Sequence, residues 1–313
     1  MNLVSIAPMD ARFIKLGENG KWEESSIEHD QVLRLDYSSP MHAACKANEW
    51  DEVTRYWLKF RNGKRAAATN DVRQIKDFYK IPPDTLWFTF YARALWWCFA
   101  QKDVIELPDD KSTIRKVVGK WRNTDLAGRV LQLQNLDGRL TKVAGYRGTI
   151  CGIEKPLLNY LVRKINAQRP VDVEKAEAEV DLLLASLQKL IKGLWWKDFE
   201  LLADLIFAKS GWQRVSVLGQ TEKAIDLDLE APVTGKKAFV QVKSQATLTM
   251  LQQSIEMFES MRQFDEFYFV FHSGAQLEQY IKTDPRVQLI DVARLAQLVL
   301  NAGLTNWLIN KRS

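Results

Sequence analysis

In the stretch AIDLDLEAPVTGKKAFVQVKSQ, Asp226, Asp228 and Glu230 alternate with Ile225, Leu227 and Leu229. Successive side chains of a strand point to opposite faces, so the three acids project together. After a turn containing Pro232 and Gly235, Phe239, Gln241 and Lys243 share one face of a second strand. Antiparallel pairing in a suitable register brings Gln241 and Lys243 beside the acids. Two carboxylates about 6 Å apart repel by roughly 3 kcal/mol at an effective dielectric near 20, so a crowded, partly buried acidic face calls for a cation. Hard oxygen ligands favour Mg²⁺, which keeps several waters and takes one or two protein carboxylates. A lysine beside that ion can position or deprotonate a bound water and offset charge developing on a phosphate. The spacing alone equally describes an amphipathic hairpin with a solvated acidic face.

The elements that must position this hairpin are legible on both sides of it. KDFELLADLIFAK reads as a helix stopped at Gly211, followed by a short strand at Trp212 to Leu218. Beyond the hairpin come a helix from Leu248 to Arg262, the strand FYFVF and the helical LIDVARLAQLVLNAGL, both helices being read as core. Ahead of it, Val171 to Ile191 has apolar residues at helical spacing behind Pro170 and reads as a connecting helix.

Asp226, a turn, and then Gln241-Val242-Lys243, preceded by FELLADLIF and then GW and followed by a helix and the strand FYFVF, resemble the PD-(D/E)xK nuclease superfamily in the QxK variant of Mrr-like restriction endonucleases. The resemblance covers roughly residues 195 to 305. It implies an α/β domain with a mixed central sheet flanked by helices, and a metal-dependent endodeoxyribonuclease using Mg²⁺ or Mn²⁺ to leave 5′-phosphate and 3′-hydroxyl ends. By the same resemblance Asp226 is the metal-ligating acid, with the Val242 carbonyl as second ligand. Lys243 is the catalytic lysine, Gln241 stands where many relatives place Glu, and Glu200 matches an acidic position assisting the metal site. Asp228 is a rival to Asp226, and the sequence leaves the two open.

The remainder of the chain sets the boundaries. Its 313 residues suggest two domains, and 46% hydrophobic with 27% charged residues is ordinary globular composition. No apolar run approaches the roughly 18 residues needed to span a bilayer, and the N-terminus lacks a secretory layout, so a cytoplasmic protein without membrane attachment is expected. Cys45, Cys98 and Cys151 are scattered, and His29, His42 and His272 form no paired spacing, which argues against local zinc sites and His-dependent hydrolysis. Neither GxxxxGK[ST] nor GxGxxG occurs.

Charge divides unevenly. Residues 1 to 165 carry 27 Lys and Arg against 20 Asp and Glu, and residues 166 to 313 carry 17 against 19. A basic part beside a slightly acidic one suits a polyanion holder joined to a cation site. The expected organisation is therefore a basic, mostly β (α+β, barrel-like) domain over 1–168, a connecting helix over 169–194 and a nuclease domain over 195–313. Strands are expected at Phe13 to Leu16, Val32 to Leu35, Leu86 to Tyr91, Leu95 to Phe99 and Gly128 to Leu133, with helices around Glu49 to Lys59 and Pro156 to Ile165.

Seven of the 11 tryptophans lie in the basic part. Trp87, Trp96 and Trp97, with Arg93, Arg115, Lys116, Lys120 and Arg122, form the expected DNA-binding set, since aromatic faces stack bases while cations hold the backbone; each ring taken singly is also a natural core residue. The opening RFIKLGENGKWEESSIEHDQVLRLDY, with LWFTFY, resembles EVE and PUA-like β-barrel sensor domains. The expected partners are double-stranded DNA, modified bases included, and a second copy in a homodimer. The expected role is restriction of foreign DNA in host defence. Two alternatives stay open: a nuclease effector triggered by a small ligand or protein sensed by the first domain, and an inert DNA-binding protein in which Gln241 has cost the site its metal.

Overall fold

The computed structural model describes residues 5–35, 41–107, 112–215, 226–274, 277 and 284–313. The chain divides into two compact units, Met1–Pro170 and Val171–Ser313. No helix among the described residues is long and apolar enough to cross a membrane.

The first unit runs β1 (Ala11–Ile14), β2 (Val32–Leu35), α1 (His42–Ala47), α2 (Trp50–Phe60), α3 (Arg65–Lys80), β3 (Leu86–Tyr91), β4 (Ala94–Cys98), β5 (Ala100–Glu106), β6 (Thr113–Val117), α4 (Gly138–Thr141), β7 (Ile150–Gly152) and α5 (Lys155–Ile165). Its strands form two sheets, ordered β4-β3-β1-β7 and β2-β6-β5. The chain passes from one sheet into the other at Phe99, so the unit is α+β with a joined corner. Between β3 and β4 the two-residue turn Ala92-Arg93 has φ of 48° and 60°, the left-handed pair that tight hairpins require even without glycine.

Helix α3 is an addition to the sequence reading. Its buried Ala68, Val72, Ile75, Phe78 and Tyr79 follow helical spacing inside an otherwise polar stretch. The strand expected at Gly128 to Leu133 does not form. Asp125 instead accepts the backbone N–H groups of Ala127 and Arg129, which closes a turn and leaves only isolated bridges at Val130 and Gln132.

The second unit runs α6 (Val171–Lys192), α7 (Trp196–Lys209), β8 (Gln213–Arg214), β9 (Leu227–Glu230), β10 (Lys237–Ala246), α8 (Leu248–Ser260), β11 (Glu266–Gly274), β12 (Val287–Ile290), α9 (Val292–Asn301) and α10 (Thr305–Arg312). One mixed sheet, ordered β12-β11-β10-β9-β8, has β10, β11 and β12 parallel and β8 to β10 antiparallel. Residues 216–218 of the strand expected after Gly211, and Ile225, lie outside the described residues. The helix expected to connect the domains packs as part of this unit, burying Leu187 and Ile191 against one sheet face with α7, α9 and α10. Helix α8 covers the other face through Leu251 and Phe258, against Phe239, Phe267 and Phe269. The side chains of Thr247 and Asp291 cap α8 and α9 by accepting the N–H groups of Met250 and Arg294.

Burial governs the cysteines. Cys45 and Cys98 are buried and Cys151 half-buried, all as free thiols. Burial pushes the Cys45 thiol up to about 12, and raises Cys98 and Cys151 as well. Only thiolate attacks a disulfide reagent, and a thiol at about 12 is ionised to about one part in 10⁴ at pH 8. Native protein at pH 8 is therefore expected to release almost no chromophore from a thiol-reactive disulfide within minutes, and three equivalents once denatured. Rapid labelling of the native chain would contradict this packing.

Candidate active site

The site grows out of the β9–β10 hairpin. Its register sets Glu230 against Lys237, Leu229 against Ala238, Asp228 against Phe239 and Leu227 against Val240. Leu227 and Leu229 are buried beneath the α6 and α7 face with Ala238, Val240 and Val242. Alternation then turns Asp228 and Glu230 the other way, with Phe239, Gln241 and Lys243. Gly235, at φ 68°, closes the turn by donating its N–H to Ala231.

Asp226 immediately precedes β9. Its Oδ2 accepts the backbone N–H of Val242 at 2.7 Å and lies 3.2 Å from Lys243 Nζ. A charged acceptor on a backbone donor is a strong hydrogen bond, so the carboxylate is oriented by the neighbouring strand and in turn holds the lysine. Both side chains remain partly exposed, Lys243 by 34% and Asp226 by 21%. The pair is reachable by solvent.

Asp228 sits apart from this pair. Burial raises its carboxyl, Lys237 draws it down and Glu230 pushes it up, with neither Asp226 nor Lys243 contributing. Glu200 on α7 belongs with the pair: burial raises its carboxyl first, then the negative charge of Asp226, against opposing contributions from Lys243, Arg214 and Lys197. Asp226, Lys243 and Glu200 thus share one local field. Gln241, adjacent on β10, is 4% exposed. A neutral amide tolerates that burial far better than an ionised glutamate would, which accounts physically for Gln at this position.

Sequence reading passed over His272, for want of any paired histidine. On β11 it is 5% exposed, its Nδ1 meets Ser273 Oγ at 2.9 Å and its ring lies edge-on to Phe199 at 4.7 Å. Lys243 pairs with Phe271, so His272 faces the opposite side of the sheet. Burial, then the Lys192 charge, lowers its pKa and keeps it neutral. The available signal was its place directly after the FYFVF run, within the same strand.

The expected DNA-binding set is divided by burial. Trp87 and Arg115 are fully buried and Trp97 is 3% exposed, so these three are corrected from DNA contacts to core residues. Trp97 Nε1 donates to the Thr124 carbonyl, and the Arg115 guanidinium is spent on backbone carbonyls of Gln101, Phe78 and Ile81. Arg93, Lys116 and Lys120 are exposed. Half-buried Trp96 and Arg122 join Lys120 on the wall of a cleft of about 510 Å³ that also includes Trp121 and Glu28.

Residues 191–299 match the family model of the Mrr catalytic domain, described as "Restriction endonuclease". The second unit is thus a Mrr-like PD-(D/E)xK nuclease domain, with helices on both faces of a mixed sheet and Asp226 beside the Gln241-Val242-Lys243 strand. A solved structure, "MspJI Restriction Endonuclease in Complex with 27-mer Oligonucleotide", is similar over 80% of this chain and 70% of that chain, with 15% identity and a TM-score of 0.27. No curated protein matches.

Proposed function

We propose that this chain is a Mg²⁺-dependent DNA endonuclease of restriction type, acting in host defence, in which the second unit cuts and the first recognises DNA. The observation that carries the proposal is the convergence of Asp226, the Val242 backbone and Lys243 within hydrogen-bonding distance, inside a segment that matches a restriction-endonuclease family.

The donor set fits a hard divalent ion. Asp226 engages its protein partners through Oδ2, leaving Oδ1 without a partner among the described residues, and Glu200 is the second carboxylate in the same field. No cluster of three or more His, Cys, Asp and Glu able to hold a metal occurs among the described residues. Two carboxylates suffice for Mg²⁺, which retains waters and takes few protein ligands. Asp226 and the Val242 carbonyl would hold the ion with help from Glu200. Once bound, it would supply a water activated as nucleophile and a polarised phosphoryl oxygen.

The chain's own groups do the rest. Asp226 fixes the Lys243 ammonium at the site mouth, where it stabilises the negative charge that develops on the phosphate. Lys243 also orients the attacking water by hydrogen bonding. Buried Gln241 keeps a neutral wall beside them, so the site carries one acid fewer than a Glu-bearing relative. One such site cuts one strand, and double-strand cleavage calls for a two-fold dimer or repeated encounters. In the first unit Arg93, Lys116, Lys120, Arg122 and Trp96 supply the exposed cations and aromatic face for DNA, modified bases included.

The test separates the two rival acids. Asp226→Asn is expected to reduce Mg²⁺-dependent cleavage of supercoiled plasmid by about 10²-fold or more, from loss of a ligand and of the lysine's anchor. Asp228→Asn is expected to stay within about threefold of the parent, as a surface substitution away from the reacting groups. Equal losses, or a parent that fails to cut with every divalent ion tried, would overturn the assignment, the second outcome favouring an inert DNA-binding protein.

A further inference from the structure

At the start of α7 the second unit leaves two large rings in solvent. Trp195 and Trp196 are 58% and 49% exposed, with ring centroids 5.6 Å apart. Such rings are normally covered, and exposed apolar surface rimmed by charge marks an interaction site. The Lys197 ammonium lies over both, 5.3 Å from one centroid and 5.2 Å from the other. One turn further along the helix, Glu200 follows Trp196 by four residues, so the two share a face. Lys197, Asp226 and Lys243 all act electrostatically on Glu200. The tryptophan pair therefore borders the candidate active site.

Cations from α6, α7 and α10 gather beside the pair. Lys192 ends α6, Lys197 lies in the first turn of α7, and Lys311 and Arg312 end α10. The Lys311 ammonium meets Asp198 of α7 at 2.8 Å and lies 5.8 Å from the Trp307 ring, which ties the end of α10 to the start of α7. Arg312 lies against Gly193, where a Cβ would fall 2.6 Å from a guanidinium nitrogen. Lys192, Lys197 and Arg312 are exposed. Residues 166 to 313 carry 17 Lys and Arg against 19 Asp and Glu, so the positive charge collected here is local and not a property of the whole unit.

An occupant must offer flat apolar faces and negative charge together. Nucleic acid offers both, and it is the substrate of the neighbouring site. A matched duplex hides its base faces in the stack and presents edges and backbone, so these rings can be covered only by bases that have left the stack. We propose that Trp195 and Trp196 hold unstacked bases of the substrate strand next to the scissile phosphate, with Lys192, Lys197 and Arg312 on the backbone. DNA with unpaired nucleotides at the cut is then a better substrate than a fully matched duplex. The inference deepens the nuclease reading of this unit and rests on it for where the cut lies.

The experiment uses the full chain in EDTA, so that binding is read without cleavage. Fluorescence anisotropy compares a single strand with an abasic strand of the same length, and a matched duplex with the same duplex interrupted by a short unpaired bubble. The parent is expected to prefer the single strand over the abasic strand, and the bubble over the matched duplex, by about tenfold each, the scale for stacking one base on an aromatic ring. The double variant Trp195→Ala, Trp196→Ala is expected to lose both preferences with an unchanged circular dichroism melt, since both rings are exposed. Lys192→Gln with Arg312→Gln is expected to weaken binding to all of these probes alike and to lower its salt dependence. A parent without base preference, a tryptophan variant that keeps it, or a cation variant with unchanged salt dependence overturns the proposal. A tryptophan variant that binds every probe as the parent does, but sediments as a smaller species, also overturns it and gives the surface to a second copy. Repeating the comparison as cleavage in Mg²⁺ separates the two readings. Cutting without a tryptophan-dependent preference removes this inference and leaves the nuclease, whereas tryptophan-dependent base binding without cutting does the reverse.

Discussion

Lys243→Ala is expected to lower Mg²⁺-dependent DNA cleavage by about 10²- to 10³-fold, the scale for removing one preorganised donor aimed at developing transition-state charge. The ammonium is oriented in advance, 3.2 Å from an Asp226 carboxylate that is itself anchored on the Val242 N–H. A methyl group in its place neither orients water nor offsets phosphate charge. DNA affinity, measured by anisotropy in Ca²⁺, is expected to stay within about threefold, because one phosphate contact among many contributes little to total binding. Stability is expected to change by less than about 1 kcal/mol, since a partly exposed ion pair is weakly stabilising. Lys243→Arg keeps the charge but replaces a compact point donor with a planar fork, so it is expected to rescue only a small fraction of the rate. A Lys243→Ala protein that cuts at the parental rate would remove Lys243 from the chemistry.

Arg115→Ala is expected to destabilise the first unit by about 3–5 kcal/mol, as removal of a buried group that satisfies several others does. Arg115 is fully buried on β6, and its guanidinium donates to the carbonyls of Gln101, Phe78 and Ile81 at 2.7 to 3.2 Å. The Phe78 carbonyl lies in the last turn of α3, which has no intrahelical partner for its final carbonyls, and Ile81 directly follows that helix. The cation therefore caps α3 from within the core, where the helix dipole also favours positive charge. The guanidinium further lies over the Trp87 ring at 5.7 Å. Burial draws its pKa down to about 10, which still leaves it charged at neutral pH. Denaturant unfolding followed by tryptophan fluorescence reads the loss directly, as seven of the 11 tryptophans lie in residues 1 to 165. Arg115→Lys is expected to recover part of the stability, having fewer donors in a different geometry. Full stability with selectively weakened DNA binding would instead return Arg115 to the recognition surface.

That second expectation marks where sequence reading overreached. Trp87, Trp97 and Arg115 were grouped with Arg93, Trp96, Lys116, Lys120 and Arg122 because all lie in one aromatic, basic neighbourhood of the chain. Strands β2, β3 and β4 were legible from β-branched and aromatic alternation, within a residue at each end, as were α2 and α5 from helical spacing. Which face of each strand would be covered was not, because both faces of β3 carry large rings: Trp87 enters one core and Phe88 another. Arginine buried against helix-end carbonyls has no local signature, since its acceptors lie 14 to 37 residues away.

Alternation by itself determined that Asp226, Asp228 and Glu230 belong to one set and Gln241 and Lys243 to another, because strand periodicity is a property of the backbone. It also made the helix, hairpin, helix and strand order of the second unit readable. Tertiary structure alone decided that Asp226, and not Asp228, meets Lys243, because strand register depends on how both faces of the hairpin are buried. The same holds for the division of the basic aromatic residues into core and surface: it depends on contacts between segments far apart in the chain, and residue types can suggest such contacts without specifying them.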